Sequence, residues 1–344
     1  MIDLQLDADE EMIRDTARAF AQERLAPAMR AHERQASVDL ELVRAYRALG
    51  FAAMEGPAAA GGQDASPLAK ALVLEELGAG DAGAAFALEG AGPALQALVE
   101  LGQTALLRDV LAKPELRVGF VSDGEGRLAL DPRSVSGTHP WTAVPASGCA
   151  AVVVVRGDRM VLVRDGIVFT PVTPCGLDAA GACQLDFTAA PVVAMTSDRG
   201  AVARARAHAR RFVAALLVGL ARVATAYAMR YAQDRVAFGR PIAHHQGLAF
   251  LLADMATAVE AARLALWRAA AGRDADGGAR AAAWALAEAA EQALFVGPSA
   301  VQVLGGHGFM KDHPVEKWMR DIRTLALLDG GRDAAELEAA GVEG

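Results

Sequence analysis

The feature that most constrains this fold is the long helical stretch in the second half of the chain. Residues 203–233 contain no proline, and an unbroken helix of that length would be about 45 Å long. The next segment repeats apolar residues every three or four positions, as an amphipathic helix does: Leu248, Leu251, Leu252, Met255, Val259, Ala262 and Leu266. Helical segments at 281–297 and 315–328 would complete a C-terminal four-helix bundle.

The residues before this bundle predict two further regions that differ in secondary structure. The first 113 residues read as helices at 40–49, 67–77 and 84–101, after a first helix that begins at a capping box of Asp7 and Glu10. Short β-rich runs follow, separated by Gly, Pro and Asp turns: RVGFV, AAVVVV, RMVLV, IVFTPV and QLDF. Valines 152–155 form a continuous apolar run, which predicts a strand covered on both faces.

The predicted fold class is therefore α+β and mostly α. We expect an N-terminal helical domain at 1–113, a small central β-domain at 114–196 and the helical bundle at 197–344. This order is unusual, because mixed chains more often alternate strand and helix around a parallel sheet.

Composition excludes several function classes. The 34 basic and 42 acidic residues give a net charge of −8, which argues against a nucleic-acid-binding protein. The longest clean apolar run, 212–221, is far below the ~20 residues that span a bilayer, and the acidic N-terminus is unlike a secretory signal. Cys149, Cys175 and Cys183 are odd in number and lack C-x-x-C spacing. We expect three reduced thiols in a cytoplasmic protein without a membrane span.

Three motifs in the bundle carry more specific information. The first runs from Arg235 through Phe238 and Gly239 to Pro241. Glycine and proline end a helix at this point, and a cation in the last turn interacts favourably with the helix dipole. These properties alone are explained by a helix-turn-helix connection.

The second motif places three glycines within four residues at a helix end, Gly305, Gly306 and Gly308, just after Gln302. One glycine is enough to end a helix, so three indicate either that a ligand or another backbone passes closely or that the turn is tight. The third motif is the sequence PVEKWMRD, followed eight positions later by Asp329 and then two glycines.

Together the three motifs resemble the acyl-CoA dehydrogenase family, whose bundle carries R-x-x-F-G, Q-x-x-G-G-x-G, P-V-E-x-x-x-R-D and a terminal E-G-T. The N-terminal sequences GGQDAS and LVLEELG are similar to the family's G-G-x-G and V-x-E-E-L-G. The resemblance covers nearly the whole chain, and the order of the motifs makes it more specific than any one of them. It implies an FAD-dependent oxidoreductase that acts on acyl-CoA.

The resemblance also implies residue roles. The following residues match positions that hold the FAD of a neighbouring subunit: Arg235, Phe238, Gln302, Gly305 and Gly306. Trp141 and Thr142 lie in a stretch similar to the family's G-x-K-x-W-I-T, whose tryptophan lies beside the flavin ring, although Trp141 is equally explained as a core aromatic. Since FAD lies across a subunit interface in the family, we expect an oligomer.

Asp329 occupies the position of the family's catalytic glutamate, which removes the α-proton of the thioester while the β-hydrogen leaves as hydride. Aspartate is shorter by one methylene, roughly 1.5 Å, and a misplacement of about 1 Å can cost on the order of 10²-fold in rate. Arg210 has the spacing of an arginine that lies beside the substrate and base in the family. Its other interpretation is a solvated helix face.

Several positions depart from the family pattern. A short segment, 121–126, replaces the T-E-P-x-x-G-S-D loop, while His139, Ala143 and Gly331 replace the usual lysine and two threonines. Three functions remain open. The first is an acyl-CoA dehydrogenase that uses Asp329 and passes electrons to an electron-transfer flavoprotein, and the second is a non-catalytic subunit that completes the FAD site of a catalytic homologue. The third is a divergent flavoprotein of the same fold.

Overall fold

The computed structural model describes residues 5–272 and 278–341. The N-terminal region is helical: α1 (Ala8–Phe20), α2 (Met29–Gln35), α3 (Leu40–Ala48), α4 (Pro67–Glu89), α5 (Leu95–Glu100) and α6 (Thr104–Ala112). The backbone N–H of Glu10 donates to Asp7 Oδ1 at 2.8 Å, and the N–H of Asp7 donates to Glu10 Oε2 at 3.1 Å. The predicted capping box is therefore confirmed.

Helix α4 contains the interruption that was predicted between helices at 67–77 and 84–101. It is one element that extends to Glu89 and is broken at Asp81, whose backbone is extended (φ −163°, ψ 102°). The chain then turns at Gly90, which has a φ of 63°, before α5 begins. Sequence periodicity missed the turn at Gly90, because the second predicted helix ran without a break from 84 to 101.

The central region is a seven-stranded sheet. Its strands are β1 (Val118–Ser122), β2 (Leu128–Leu130), β3 (Ser134–Thr142), β4 (Ala151–Arg156), β5 (Arg159–Val163), β6 (Ile167–Pro171) and β7 (Cys183–Thr196). The strand order is β1-β4-β5-β7-β3-β2, and β6 also pairs with β7. Only the β1–β4 pair among these strands is parallel. Valines 152–155 are fully buried, so the prediction of a doubly covered strand is confirmed.

Strands β2 and β3 had no counterpart in the β-rich runs of the sequence. Strand β3 is mostly polar, and its pairing with β7 shifts register between Val135 and Gly137 and again between His139 and Thr142. Such irregularities interrupt the period of two by which a half-buried strand is identified.

The C-terminal region returns to helices: α7 (Arg199–Asp234), α8 (Gln246–Ala271), α9 (Ala279–Leu304), α10 (Val315–Leu325) and α11 (Gly331–Ala339). A two-residue hairpin, β8 (Val236–Ala237) with β9 (Arg240–Pro241), connects α7 to α8. The predicted end of α9 at Gly297 was wrong. A Cβ at this glycine would lie 3.4 Å from the Cα of Met319, so the glycine serves the packing of α10 rather than a helix end. The α+β, mostly helical fold class is confirmed.

Helix α7 is the centre of the molecule and packs against α4, α8 and α9. At its crossing with α4, a Cβ added to Gly219 would lie 2.1 Å from the carbonyl oxygen of Glu75, and one added to Gly78 would lie 2.7 Å from that of Leu216. The two helix backbones therefore touch. By length and composition α7 could span a membrane, but 72% of its apolar window is buried inside the fold.

A buried charge cluster joins the three regions. Lys317 of α10 contacts Asp321 at 2.6 Å and Asp81 of α4 at 3.3 Å, and His32 of α2 contacts Asp81 at 3.0 Å. The backbone N–H of Leu177, before β7, donates to Asp321 at 2.7 Å. Each charged group in the cluster has a partner, which is the condition under which burial of charge is tolerated.

Candidate active site

A cleft of about 410 Å³ lies where the three regions meet. Its wall includes Phe86 and Gly92 from the N-terminal region, the end of β3, and Ala209 and Val213 from α7. The polar groups of the wall are these: Arg117, Ser122, Asp123, Glu125, Arg127, His139, Thr142 and Asp329. Two of the residues singled out in the sequence for cofactor and base, Trp141 and Asp329, thus face the same space.

Asp329 lies in the turn between α10 and α11. Its backbone is left-handed (φ 55°, ψ 33°), and Gly330 and Gly331 also have positive φ, 82° and 72°. Aspartate adopts this region more readily than most residues, and glycine does so freely. The turn directs the Asp329 side chain inward, where it is 5% exposed.

Arg210 lies on α7 directly beside Asp329. Its Nε donates to Asp329 Oδ2 at 2.5 Å, and its Nη1 forms an ion pair with Glu338 of α11 at 2.8 Å. The arginine side chain is 3% exposed, so the interpretation as a solvated helix face was wrong. Burial lowers the pKa of Arg210, but the two carboxylates outweigh it and the pKa is raised above its ordinary value.

The end of β3 supplies unpartnered polar groups to the cleft. Trp141 Nε1, Thr142 Oγ1 and His139 Nδ1 are all buried and have no hydrogen-bond partner among the described residues. Burial lowers the pKa of His139, which favours its neutral imidazole. Buried polar groups nearly always have partners, so this wall fits a bound molecule that carries both an aromatic surface and hydrogen-bonding atoms, as FAD does.

The shortened segment after β1 is a well-supported turn. The carboxylate of Asp123 is 1% exposed and accepts the backbone N–H groups of Arg127 at 2.8 Å and of Leu128 at 3.1 Å. These two hydrogen bonds hold the short turn between β1 and β2. The turn forms part of the cleft wall.

The other predicted cofactor residues lie outside the cleft. Arg235, Phe238 and Gln302 are exposed, Phe238 at 96%, and none of these three lines the cleft. Tyr231 of α7, one turn before Arg235, contacts the second motif through a hydrogen bond of 2.9 Å between its hydroxyl and His307 Nδ1. The structure therefore brings these motifs together on one surface and separates them from Trp141.

The glycines after α9 divide into two kinds. A Cβ at Gly308 would lie 2.3 Å from the carbonyl oxygen of Val301, whereas one at Gly305 or Gly306 would meet nothing within 4 Å among the described residues. Gly308 is thus explained by the tight turn. Gly305 is explained by its own backbone, whose φ of 59° favours glycine. Gly306 faces open space, so no contact within the described residues accounts for the absence of a side chain there.

Sequence reasoning missed two residues of the site. Arg117 is partly buried, and desolvation lowers its pKa to about 10. Its guanidinium donates to the carbonyl oxygens of Ala180 at 2.7 Å and Ala143 at 3.3 Å. It thereby holds the backbone that follows Trp141. Glu338 lies in α11, which no motif predicted; only its place one helix beyond Asp329 could have indicated it.

Comparisons with known proteins agree with this architecture. Two family models match, the acyl-CoA dehydrogenase N-terminal domain at residues 7–113 and the acyl-CoA dehydrogenase C-terminal domain at residues 199–338. Together they cover well over half of the chain. The second model includes Arg210, Asp329 and Glu338.

Individual relatives match over different lengths. Cyclohex-1-ene-1-carbonyl-CoA dehydrogenase of Geobacter metallireducens is 47% identical over 124 residues, which is 35% of this chain and 32% of that protein, so the match spans about a third of the relative's length. Human mitochondrial short-chain specific acyl-CoA dehydrogenase is 27% identical over 382 aligned positions, covering 98% of this chain and 90% of the relative.

The fold is also that of solved structures. Butyryl-CoA dehydrogenase from Megasphaera elsdenii superimposes with a TM-score of 0.86 at 22% identity, over 99% of each chain. With both domain models matched and the cleft between them formed as described, the chain belongs to the acyl-CoA dehydrogenase family of FAD-dependent oxidoreductases.

Proposed function

We propose that this protein is an acyl-CoA dehydrogenase that introduces a 2,3-double bond into an acyl-CoA thioester, with Asp329 as the base. The observation that carries this proposal is the meeting of Asp329 with Trp141 and the unpartnered Thr142 hydroxyl in one cleft. A base and a cofactor-binding wall must face the same substrate for this reaction to occur.

Asp329 is the best-suited carboxylate in that cleft. Asp123 has its oxygens engaged by two backbone N–H groups of its own turn. Glu125 is 72% exposed and paired with Arg127. Asp329 is the remaining acidic residue among those that line the cleft, and it is held at a buried position by one well-aligned donor.

The role of the chain is to hold and move one proton. The free oxygen of Asp329 takes the α-proton of the thioester, while Arg210 fixes the direction of the carboxylate from behind. FAD, when bound, would supply the acceptor for the hydride that leaves the β-carbon, and the electron pair of the broken Cα–H bond forms the double bond. An electron-transfer flavoprotein is the partner that would take up these electrons, as the resemblance to the family implies.

Trp141 and Thr142 are the residues of this wall that we assign to the flavin ring system. Arg235, Phe238, Gln302, Gly305 and Gly306 are assigned to the FAD of a neighbouring subunit, which accounts for their position on an exposed surface away from the cleft. A planar guanidinium such as that of Arg235 suits a pyrophosphate.

A second candidate function is a non-catalytic subunit of a heteromeric acyl-CoA dehydrogenase. It is favoured by the close ion pair between Asp329 and Arg210, because the guanidinium engages one of the two oxygens that a base at this position would use. In that case the surface that carries Arg235 and Gln302 would complete the FAD site of a catalytic homologue.

Expression of the chain alone separates the two functions. We expect a yellow protein whose flavin absorbance bleaches when butyryl-CoA is added without oxygen, since a butyryl-CoA dehydrogenase shares the fold. Asp329→Asn should retain flavin and abolish bleaching, whereas Asp333→Asn, an exposed change in the neighbouring turn of α11, should bleach as wild type does. Flavin that appears only on co-expression with a homologue would overturn the stand-alone enzyme.

A further inference from the structure

The Arg210 side chain, beside Asp329, forms ion pairs with two carboxylates. Arg210 contacts Asp329 through Nε at 2.5 Å and Glu338 through Nη1 at 2.8 Å. Exposure falls from 30% at Glu338 to 3% at Arg210 and 5% at Asp329. The three charges therefore form a row that runs from the surface into the cleft, with the cation in the middle.

Within the described residues, Glu338 forms ion pairs with residues of α7 only. Besides Arg210 it approaches Arg206, one turn earlier on the same helix, at 3.8 Å. Its neighbours on α11 face elsewhere; Glu336, for example, pairs with Arg332. Glu338 thus links α11 to the helix that carries the partner of Asp329.

Other charged groups also face the space in front of Asp329. These come from the β-domain wall of the cleft: Arg117, Asp123, Glu125, Arg127 and His139. The Arg117 guanidinium donates to backbone carbonyls, the Asp123 carboxylate accepts backbone N–H groups, and Glu125 and Arg127 pair with each other. Glu338 is therefore the charged group outside the Asp329–Arg210 pair that acts most directly on that pair.

We propose that Glu338 is a positioning residue for the base, which shares the Arg210 guanidinium and so keeps that cation from fully neutralising the Asp329 carboxylate. This inference rests on the proposed function of Asp329. A cation that is divided between two carboxylates stabilises the charged form of each less than a cation held by one. The Arg210 Nη1 makes an ion pair with Glu338 but no hydrogen bond, so Glu338 acts on the guanidinium through its charge.

The test compares Glu338→Gln with Glu336→Gln, the same change on the same helix at an exposed ion pair. The rate of anaerobic bleaching by butyryl-CoA is measured against pH for each full-length protein. In Glu338→Gln the acid limb of the profile should move to lower pH by roughly one unit, because Arg210 then serves Asp329 alone. Glu336→Gln should keep the wild-type profile, and Glu338→Asp, which restores the charge, should return most of the shift.

A second readout does not depend on turnover. The Asp329 carboxyl carbon is followed by NMR in protein labelled at aspartate, with Asp329→Asn used to assign the signal. Its titration midpoint should move to lower pH in Glu338→Gln and stay in place in Glu336→Gln.

The outcomes are distinct. An unchanged carboxyl titration in Glu338→Gln would overturn the positioning role, even if activity fell. If wild type does not bleach at any pH, the proposed reaction fails, and the carboxyl titration still decides whether Glu338 acts on Asp329.

Discussion

Gly219 of α7 lies against the carbonyl oxygen of Glu75 in α4, so closely that a Cβ on the glycine would be 2.1 Å from that oxygen. The contact fixes the distance between the helix that carries Arg210 and the N-terminal wall of the cleft. We expect Gly219→Ala to lower the free energy of unfolding by about 1–3 kcal/mol, because backbone must move to admit the methyl group.

The matched control is Gly247→Ala near the start of α8, where a Cβ would meet no described atom within 4 Å. Its stability should be equal to or higher than that of wild type by up to about 1 kcal/mol, since alanine favours the helix. Urea unfolding followed by circular dichroism measures both. Equal stability of Gly219→Ala and wild type would contradict the close backbone contact.

Thr142→Val should have opposite effects on stability and on flavin binding. The Thr142 hydroxyl is buried and unpartnered among the described residues, so its replacement by an isosteric methyl group removes a desolvation cost from the apoprotein. If the hydroxyl bonds the flavin, its loss weakens FAD binding by roughly 10-fold, about one hydrogen bond. Thermal unfolding of the apoprotein and FAD titration by fluorescence give the two quantities. Unchanged FAD affinity would remove Thr142 from the cofactor site.

Glu55 makes stability depend on pH. It lies 3.1 Å from His208 of α7; burial raises the pKa of this carboxyl, but His208, Lys70 and Arg211 outweigh burial and hold the pKa below 4.5. A depressed folded-state pKa gives stability that is present above the unfolded value and is lost as pH falls through the folded value. Wild type should therefore exceed Glu55→Gln in stability most clearly above pH 4.5.

Urea unfolding at a series of pH values measures that difference. It should shrink steadily below pH 4.5, where protonation of the carboxyl in the unfolded state begins to oppose folding. A difference that stays constant across this range would mean that Glu55 contributes packing and no charge interaction.

Sequence reasoning succeeded where one physical signal extends over many residues. The long α7, the apolar periodicity of α8 and the buried valines 152–155 all follow from pattern alone. The pattern failed at β3, whose register shifts break the alternation, and at Gly90, where the chain turns within the helix predicted at 84–101.

The candidate site was predictable to a similar degree. The motifs identified Asp329, Arg210 and Trp141, and resemblance to a family was needed to give them roles. The direct contact of Arg210 with Asp329 and Glu338 was not predictable, because it depends on how α11 folds back onto α7. Sequence spacing specifies neighbours within a helix, whereas this contact joins residues from separate elements.

The buried charge cluster limits how the cleft can change shape. Lys317 forms ion pairs with Asp81 of α4 and Asp321 of α10. Asp321 also accepts a hydrogen bond from the backbone N–H of Leu177, in the segment before β7. A hinge movement that separated these regions would leave a charge unpaired in apolar surroundings, at a cost of about 3–5 kcal/mol. We therefore expect the three regions to respond to heat or denaturant as one cooperative block, so that adjustment to a bound ligand falls to side chains and short turns such as the one that carries Asp329.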